Sequence, residues 1–211
     1  MSHSLSLSSR DALLIIDVQN DFCTGGALAV PEGEAIVPVV NKLIDRFPHA
    51  LATQDWHPKG HLSFASSHKD QAPYGMVELN YGQQVLWPDH CVQGEDGSTL
   101  HKDLNKNALE LILRKGFRKE IDSYSAFFEN DKSTSTGLSG YLKEREIERV
   151  FLCGLATDFC VYYSAIDAIK QGFETFVIAD ACRAIDLDGS LAKAMTHMRE
   201  SGVEILSSDE L

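Results

Sequence analysis

The chain has 211 residues, enough for one domain with a sizeable core. Apolar residues make up 44% and charged residues 24%, an ordinary globular balance, and no apolar stretch approaches the length of a membrane span. The formal net charge of −12 argues against nucleic acid or an anionic membrane as partner, because both call for clustered Lys and Arg. Met1 to Arg10 is Ser-rich and lacks the apolar run of a signal peptide, so residues 1–10 are expected to be a flexible terminus ahead of a single domain over 11–211, in the cytoplasm. The five cysteines (Cys23, Cys91, Cys153, Cys160 and Cys182) are odd in number and contain no C-x-x-C pair, which fits a reducing compartment without disulfides.

Strand-like and helix-like segments alternate along the chain. Ala12 to Ile16 is an apolar, β-branched run that ends at Asp17. Glu34 to Phe47 places Ile36, Val39, Val40, Leu43, Ile44 and Phe47 at helical spacing, and Ala50 to Thr53 is a second short strand. From Gln54 to about His101 no period is sustained, and so long an irregular stretch inside a domain is usually functional. Strands are expected again at Leu109–Arg114, Val150–Cys153, Thr175–Ala179 and Val203–Leu206, with helices at Leu138–Glu144, Asp158–Gln171 and Leu187–Glu200. This order predicts an α/β fold, doubly wound, with a mostly parallel sheet and helices on both faces.

Ligands of open parallel sheets sit beyond the carboxyl ends of the strands. Asp17, Asp55, Lys115 and the turn before Cys160 all follow strand-like runs, so residues remote in sequence should converge on one edge. A cysteine nucleophile needs a base and a nearby cation, roles that Asp17 and Lys115 could fill. Each also has a plain structural reading: a small buried thiol, a strand-end turn cap, a solvated lysine before Gly116. A second group, Asp55-x-His57-x-x-x-His61 with His90 further on, offers oxygen and nitrogen but no sulfur. That mixed set suits an open zinc, iron(II) or manganese(II) site rather than a closed structural zinc site. His68 competes with His61 for a place in it. Phe22, Trp87 and Tyr124 could form a slot for a flat ring, or pack the core.

Six ordered segments carry a family resemblance: Asp17-Val-Gln-Asn-Asp-Phe22, the Gln54-Asp-Trp-His-Pro run through His61-x-Ser-Phe64, Trp87-Pro-Asp-His-Cys91, Lys115-Gly116, Asp122-Ser-Tyr-Ser-Ala-Phe127 and Gly154-Leu-Ala-Thr-Asp-Phe-Cys-Val161. Over nearly the whole chain, from Ala12 to about Ala184, it resembles the nicotinamidases (pyrazinamidases) of the isochorismatase-like cysteine hydrolase superfamily, a three-layer sandwich fold. The resemblance implies hydrolysis of nicotinamide to nicotinate and ammonia in NAD salvage. It implies a catalytic triad of Asp17, Lys115 and Cys160 and one divalent metal on Asp55, His57, His61 and His90. It also implies ring contacts from Phe22, Trp87 and Tyr124, and an oxyanion hole from the N–H groups of Ala156 and Cys160 beside a cis Leu155–Ala156 bond. The spacing from His57 to His61 varies among relatives.

Other readings are a ureido-acid or N-carbamoyl-amine amidohydrolase, which would keep the triad, an isochorismatase, which has no need of the cysteine, and a metal or thiol module without turnover. The expected partner is a small-molecule substrate; a homo-oligomer is compatible with the sequence but not dictated by it.

Overall fold

The computed structural model describes residues 5–211. In chain order its elements are β1 (Asp11–Ile16), α1 (Val37–Ile44), β2 (His49–Asp55), β3 (Met76–Leu79), β4 (Gly82–Val85) and β5 (Leu111–Lys115). They continue with α2 (Leu138–Glu144), β6 (Arg149–Leu155), α3 (Tyr162–Lys170), β7 (Glu174–Arg183), α4 (Ser190–Glu200) and β8 (Glu204–Leu206). Six strands form one parallel sheet in the order β5-β2-β1-β6-β7-β8, the α/β architecture expected from the alternating pattern. Every residue of β1 is buried, as are all but the first of β6, so both sheet faces are covered. That is why these strands read as continuous apolar runs rather than as alternating ones. Phe151 of β6 stacks on Phe176 of β7 with ring centroids 4.4 Å apart, and Phe47 meets Phe151 edge-on at 5.0 Å.

From β1 the chain winds outward through β2 to β5, then returns to β6 on the other side of β1 and winds outward again. The order therefore reverses between β1 and β6, and a crevice opens there at the carboxyl ends of the strands. The registers bring Ile16 beside Gly154 and Asp55 beside Lys115 at that same edge. Gly154 has φ +120, and a Cβ on it would run into the carbonyl of Ile16, so the close approach of β6 to β1 at the crevice requires glycine.

Several boundaries differ from the sequence reading, each for a local reason. The helix expected over Glu34–Phe47 is a 3₁₀ turn at Gly33–Ile36 followed by α1. Pro38 lacks an N–H and is tolerated only in a first turn, which places the α-helical start at Val37. The helix expected from Asp158 begins instead as a wide π-type turn over Thr157–Val161 before α3. α4 starts at Ser190, after a turn in which Asp188 has φ 50. The stretch read as irregular contains an antiparallel hairpin, β3–β4, apart from the main sheet.

Of the terminus expected to be flexible, the first four residues lie outside the described residues. Beyond them, the Leu5 N–H donates to the Glu210 carbonyl at 2.7 Å and Arg149 donates to the Ser6 carbonyl at 2.8 Å. No helix among the described residues is long and apolar enough to cross a membrane.

Candidate active site

Lys115, the last residue of β5, is buried at the centre of the crevice floor. Its Nζ lies 2.8 Å from Asp17 Oδ2 and 2.5 Å from Asp55 Oδ1, and it donates to the Ser123 carbonyl at 2.8 Å. The Cys160 Sγ is 3.5 Å from the same nitrogen. Ligating atoms of Asp17, Asp55 and Cys160 all lie within 4.8 Å of one another. The strand ends thus bring together the three residues expected to form a catalytic group.

Two buried carboxylates around one ammonium cannot behave alike. Burial raises the Asp17 carboxyl, and the attraction of Lys115 only partly offsets it, so Asp17 is pushed up to about 6. Burial acts upward on Asp55 too, but there Lys115 and then His57 prevail and hold it below the usual carboxylate range. Burial opposes the charge on Lys115, yet the two carboxylates win and raise it well above an ordinary lysine. The Cys160 thiol is raised well above normal by burial, against the pull of Lys115. The resting group is therefore a neutral thiol, a charged lysine and a carboxylate poised to take a proton. The surroundings of Asp17 suit it to that role. The Thr53 hydroxyl donates to its Oδ1 at 2.6 Å, while Oδ2 accepts no well-directed hydrogen bond despite its ion pair. Its backbone is left-handed at φ 48, an uncommon conformation that aspartate tolerates.

The imidazole group lies next to this one through Asp55, whose Oδ2 is 3.7 Å from His57 Nε2. His57 spends Nδ1 on the Gly116 carbonyl at 2.8 Å, and His90 spends Nδ1 on the Pro88 carbonyl at 2.8 Å. Each ring thereby leaves Nε2, the nitrogen that would offer a lone pair to a metal, on the side of Asp55. Gly116 sits at φ +65, and a Cβ there would come within 2.5 Å of the His57 ring, so glycine is what lets the ring dock on this carbonyl. Ligating atoms of Asp55, His57 and His90 fall within 4.8 Å of one another. Burial and the neighbouring His57 push His90 down to about 4, which keeps it neutral. These three residues fit a divalent cation.

His61 stands differently. Its ring is 4.4 Å from that of His57, but its Nε2 donates to the Arg118 carbonyl at 2.9 Å and its Nδ1 accepts from Ser63. It groups with His57 and Asp122 rather than with Asp55 and His90. His68 donates to the Leu62 carbonyl at 2.8 Å and joins none of these groups.

Above the crevice floor is a narrow, mostly apolar pocket. Cys160 and Ala156 line it on one side, and Asp55, His90 and Asp122 on another. Phe22, Trp87, Tyr124 and Phe159 supply aromatic walls, with Trp87 and Phe159 edge-on at 4.9 Å. The Leu155–Ala156 bond is cis; Ala156 immediately precedes the π-type turn and Cys160 lies within it.

The isochorismatase domain family matches residues 11–210. The chain belongs to the isochorismatase family. Within it, the chain is 53% identical over 197 residues to a nicotinamidase of Acinetobacter baylyi, covering 93% of this chain and 92% of that protein. PnC1 of L. infantum, solved in complex with nicotinate, has 39% identity and a TM-score of 0.86, with 98% of each chain covered. The pyrazinamidase of Pyrococcus horikoshii, solved in complex with zinc, has 33% identity and a TM-score of 0.76, covering 94% of this chain and 99% of that one.

Several residues to which the sequence assigned no role stand at this site. Asp122 Oδ1 lies 4.0 Å from His57 Nε2, and Phe159 closes the aromatic wall. Gln19 grips the Asp55 backbone from both sides, accepting its N–H at 2.8 Å and donating to its carbonyl at 2.9 Å. Phe159 adjoins Cys160 in sequence, a signal that was open to use; the contacts of Gln19 with Asp55 and of Thr53 with Asp17 join the segment after β1 to the end of β2, which no local pattern announces.

Proposed function

We propose that this chain hydrolyses nicotinamide to nicotinate and ammonia through a thioester on Cys160. The observation that carries the reading is one cavity lined together by Cys160, which has Lys115 3.5 Å behind it, by an aromatic slot and by the Asp55 and His90 donors. The relatives named for this activity support it, and pyrazinamide, the aza-analogue, fits the same slot. The setting is NAD salvage in the cytoplasm.

In this mechanism Asp17 takes the proton of Cys160 as the sulfur attacks the carboxamide carbon, while Lys115 stabilises the charge developing beside it. The backbone N–H groups of Ala156 and Cys160 receive the oxyanion, a contribution often worth about 3 kcal/mol per donor. Asp17 returns its proton to the departing nitrogen, and the C–N bond breaks to leave ammonia and the nicotinoyl thioester. Asp17, again ionised, deprotonates the water that cleaves the thioester, restoring the thiol. Phe22, Trp87 and Tyr124 hold the ring in register with the sulfur. A divalent cation (zinc, iron(II) or manganese(II)), held by Asp55, His57 and His90, would supply a positive anchor for the pyridine nitrogen. His61 completes that set only by exchanging the Arg118 carbonyl for the cation.

Ammonia release measured on nicotinamide, a ureido acid and isochorismate tests the reading: nicotinamide should be the preferred substrate, and preference for a ureido acid would overturn it. Metal content divides the histidines. His57→Ala and His90→Ala should retain less than about a tenth of the wild-type metal, whereas His61→Ala keeps most of it; elemental analysis reads this directly, and equal losses in all three would refute the division. The pH profile follows from Asp17, which accepts a proton only when ionised. kcat/KM should be high above pH 6 and fall as pH drops through about 6. A rate unchanged between about pH 5 and 8 would rule Asp17 out as the base.

A further inference from the structure

Gln84 projects from β4 in the small hairpin and is only 1% exposed, although the hairpin around it is largely solvated. A buried amide needs partners on both ends, and this one has them. Its Nε2 faces three acceptors that share its two hydrogens: the Val85 carbonyl at 2.7 Å, Asp122 Oδ2 at 2.9 Å and the Tyr124 hydroxyl at 2.9 Å. Its Oε1 accepts from the Tyr81 hydroxyl at 3.1 Å and from Asn130 Nδ2 at 3.2 Å. The Val85 carbonyl can only accept, so the orientation of the amide is determined by its neighbours.

Its two main contacts reach opposite parts of the pocket. The Tyr124 hydroxyl that Gln84 holds also accepts the Trp87 indole N–H at 3.0 Å, so two aromatic walls are tied to this one amide. The Asp122 carboxylate that it holds also lines the cavity and faces His57 from 4.0 Å. Gln84 does not line the cavity itself. Tyr81 closes the bracket from the hairpin loop, its oxygen accepting the Asp122 N–H at 3.3 Å.

We propose that Gln84 is a positioning residue, which acts through Tyr124 and Asp122 to set where the ring-binding walls stand. It governs substrate binding, not the reaction at Cys160. This inference rests on the nicotinamide reading of the cavity.

The test is Gln84→Leu, close in shape but without hydrogen bonds, with Tyr81→Phe as a milder companion. For nicotinamide, KM should rise about tenfold in Gln84→Leu and about threefold in Tyr81→Phe, with kcat within about twofold of wild type. Alkylation of Cys160 by iodoacetamide should keep its wild-type rate, and the indole N–H resonance of Trp87 should shift in both variants. Adding Gln84→Leu to Tyr124→Phe should raise KM less than it does alone, because the two act on one contact. An unchanged KM overturns the proposal, as does a fall in kcat and alkylation in step with the rise in KM, since that marks general disruption. If Gln84→Leu does not fold, Tyr81→Phe decides by the same criteria. If the wild-type protein releases no ammonia from nicotinamide, the functional reading fails, and the Trp87 resonance alone judges Gln84: a shift supports the positioning role and an unmoved signal refutes it.

Discussion

Cys160→Ala is expected to reduce ammonia release from nicotinamide by on the order of 10⁴-fold, because removing a nucleophile leaves only binding and oxyanion stabilisation. The fold should survive: the side chain is small and buried, and losing one sulfur costs about 1 kcal/mol, a shift of a few degrees in Tm. No other cysteine can take over. Cys23, Cys91, Cys153 and Cys182 are all buried, none lines the cavity, and burial raises each of their thiols. Cys160 is raised as well, so what distinguishes it is not a standing thiolate but its partners, Lys115 at 3.5 Å and Asp17 within reach to take the proton. It follows that the thiol ionises as it attacks. Acid-quenched single turnovers should show the nicotinoyl group on the peptide containing Cys160. Activity of Cys160→Ala within tenfold of wild type, or an adduct on another residue, would sink the assignment.

How much of this was legible in the sequence depends on whether a residue's neighbours are local. Asp17, Asp55, Lys115 and Cys160 could be singled out because each follows an apolar run, and the parallel sheet carries all such ends to one edge. The reversal of strand order between β1 and β6 then makes that edge a crevice. Asp122 was given no role because a polar loop residue has no period to betray it and its partner Gln84 is remote in sequence, and the β3–β4 hairpin was missed because two four-residue strands are too short to sustain a pattern. His61 adds a contact of the same kind: its spacing from His57 suggests a ligand, and no local pattern announces that its Nε2 meets the carbonyl of Arg118. The π-type turn carrying Cys160 was also hidden, since Thr157-Asp-Phe-Cys-Val161 contains neither Gly nor Pro to mark a departure from an ordinary helix.

Lys115→Met should eliminate activity and also cost about 3–5 kcal/mol of stability at pH 7.5, the penalty for leaving buried charges without their counterion. The ammonium is what allows Asp17 and Asp55 to share a dry floor; without it the two carboxylates repel each other where water cannot screen them. Measured with chelator present, so that no cation substitutes at Asp55, the deficit should depend on pH in a definite direction. Burial already raises Asp17 to about 6 with Lys115 in place; once the lysine is gone Asp17 rises further and Asp55 loses the main attraction that held it down. A carboxyl whose folded pKa lies above its unfolded value binds more protons in the folded state, so folding gains as pH falls. The deficit of Lys115→Met against wild type should therefore shrink between pH 7.5 and about 5.5 in urea unfolding, as the carboxylates take up protons. Adding Asp17→Asn should recover part of the lost stability at pH 7.5 and none of the activity. That combination separates the two duties of the lysine, as counterion to the floor and as support for charge at Cys160. An equal deficit at both pH values, or a double variant no more stable than Lys115→Met, would mean that Lys115 does not hold these carboxylates in their charged form.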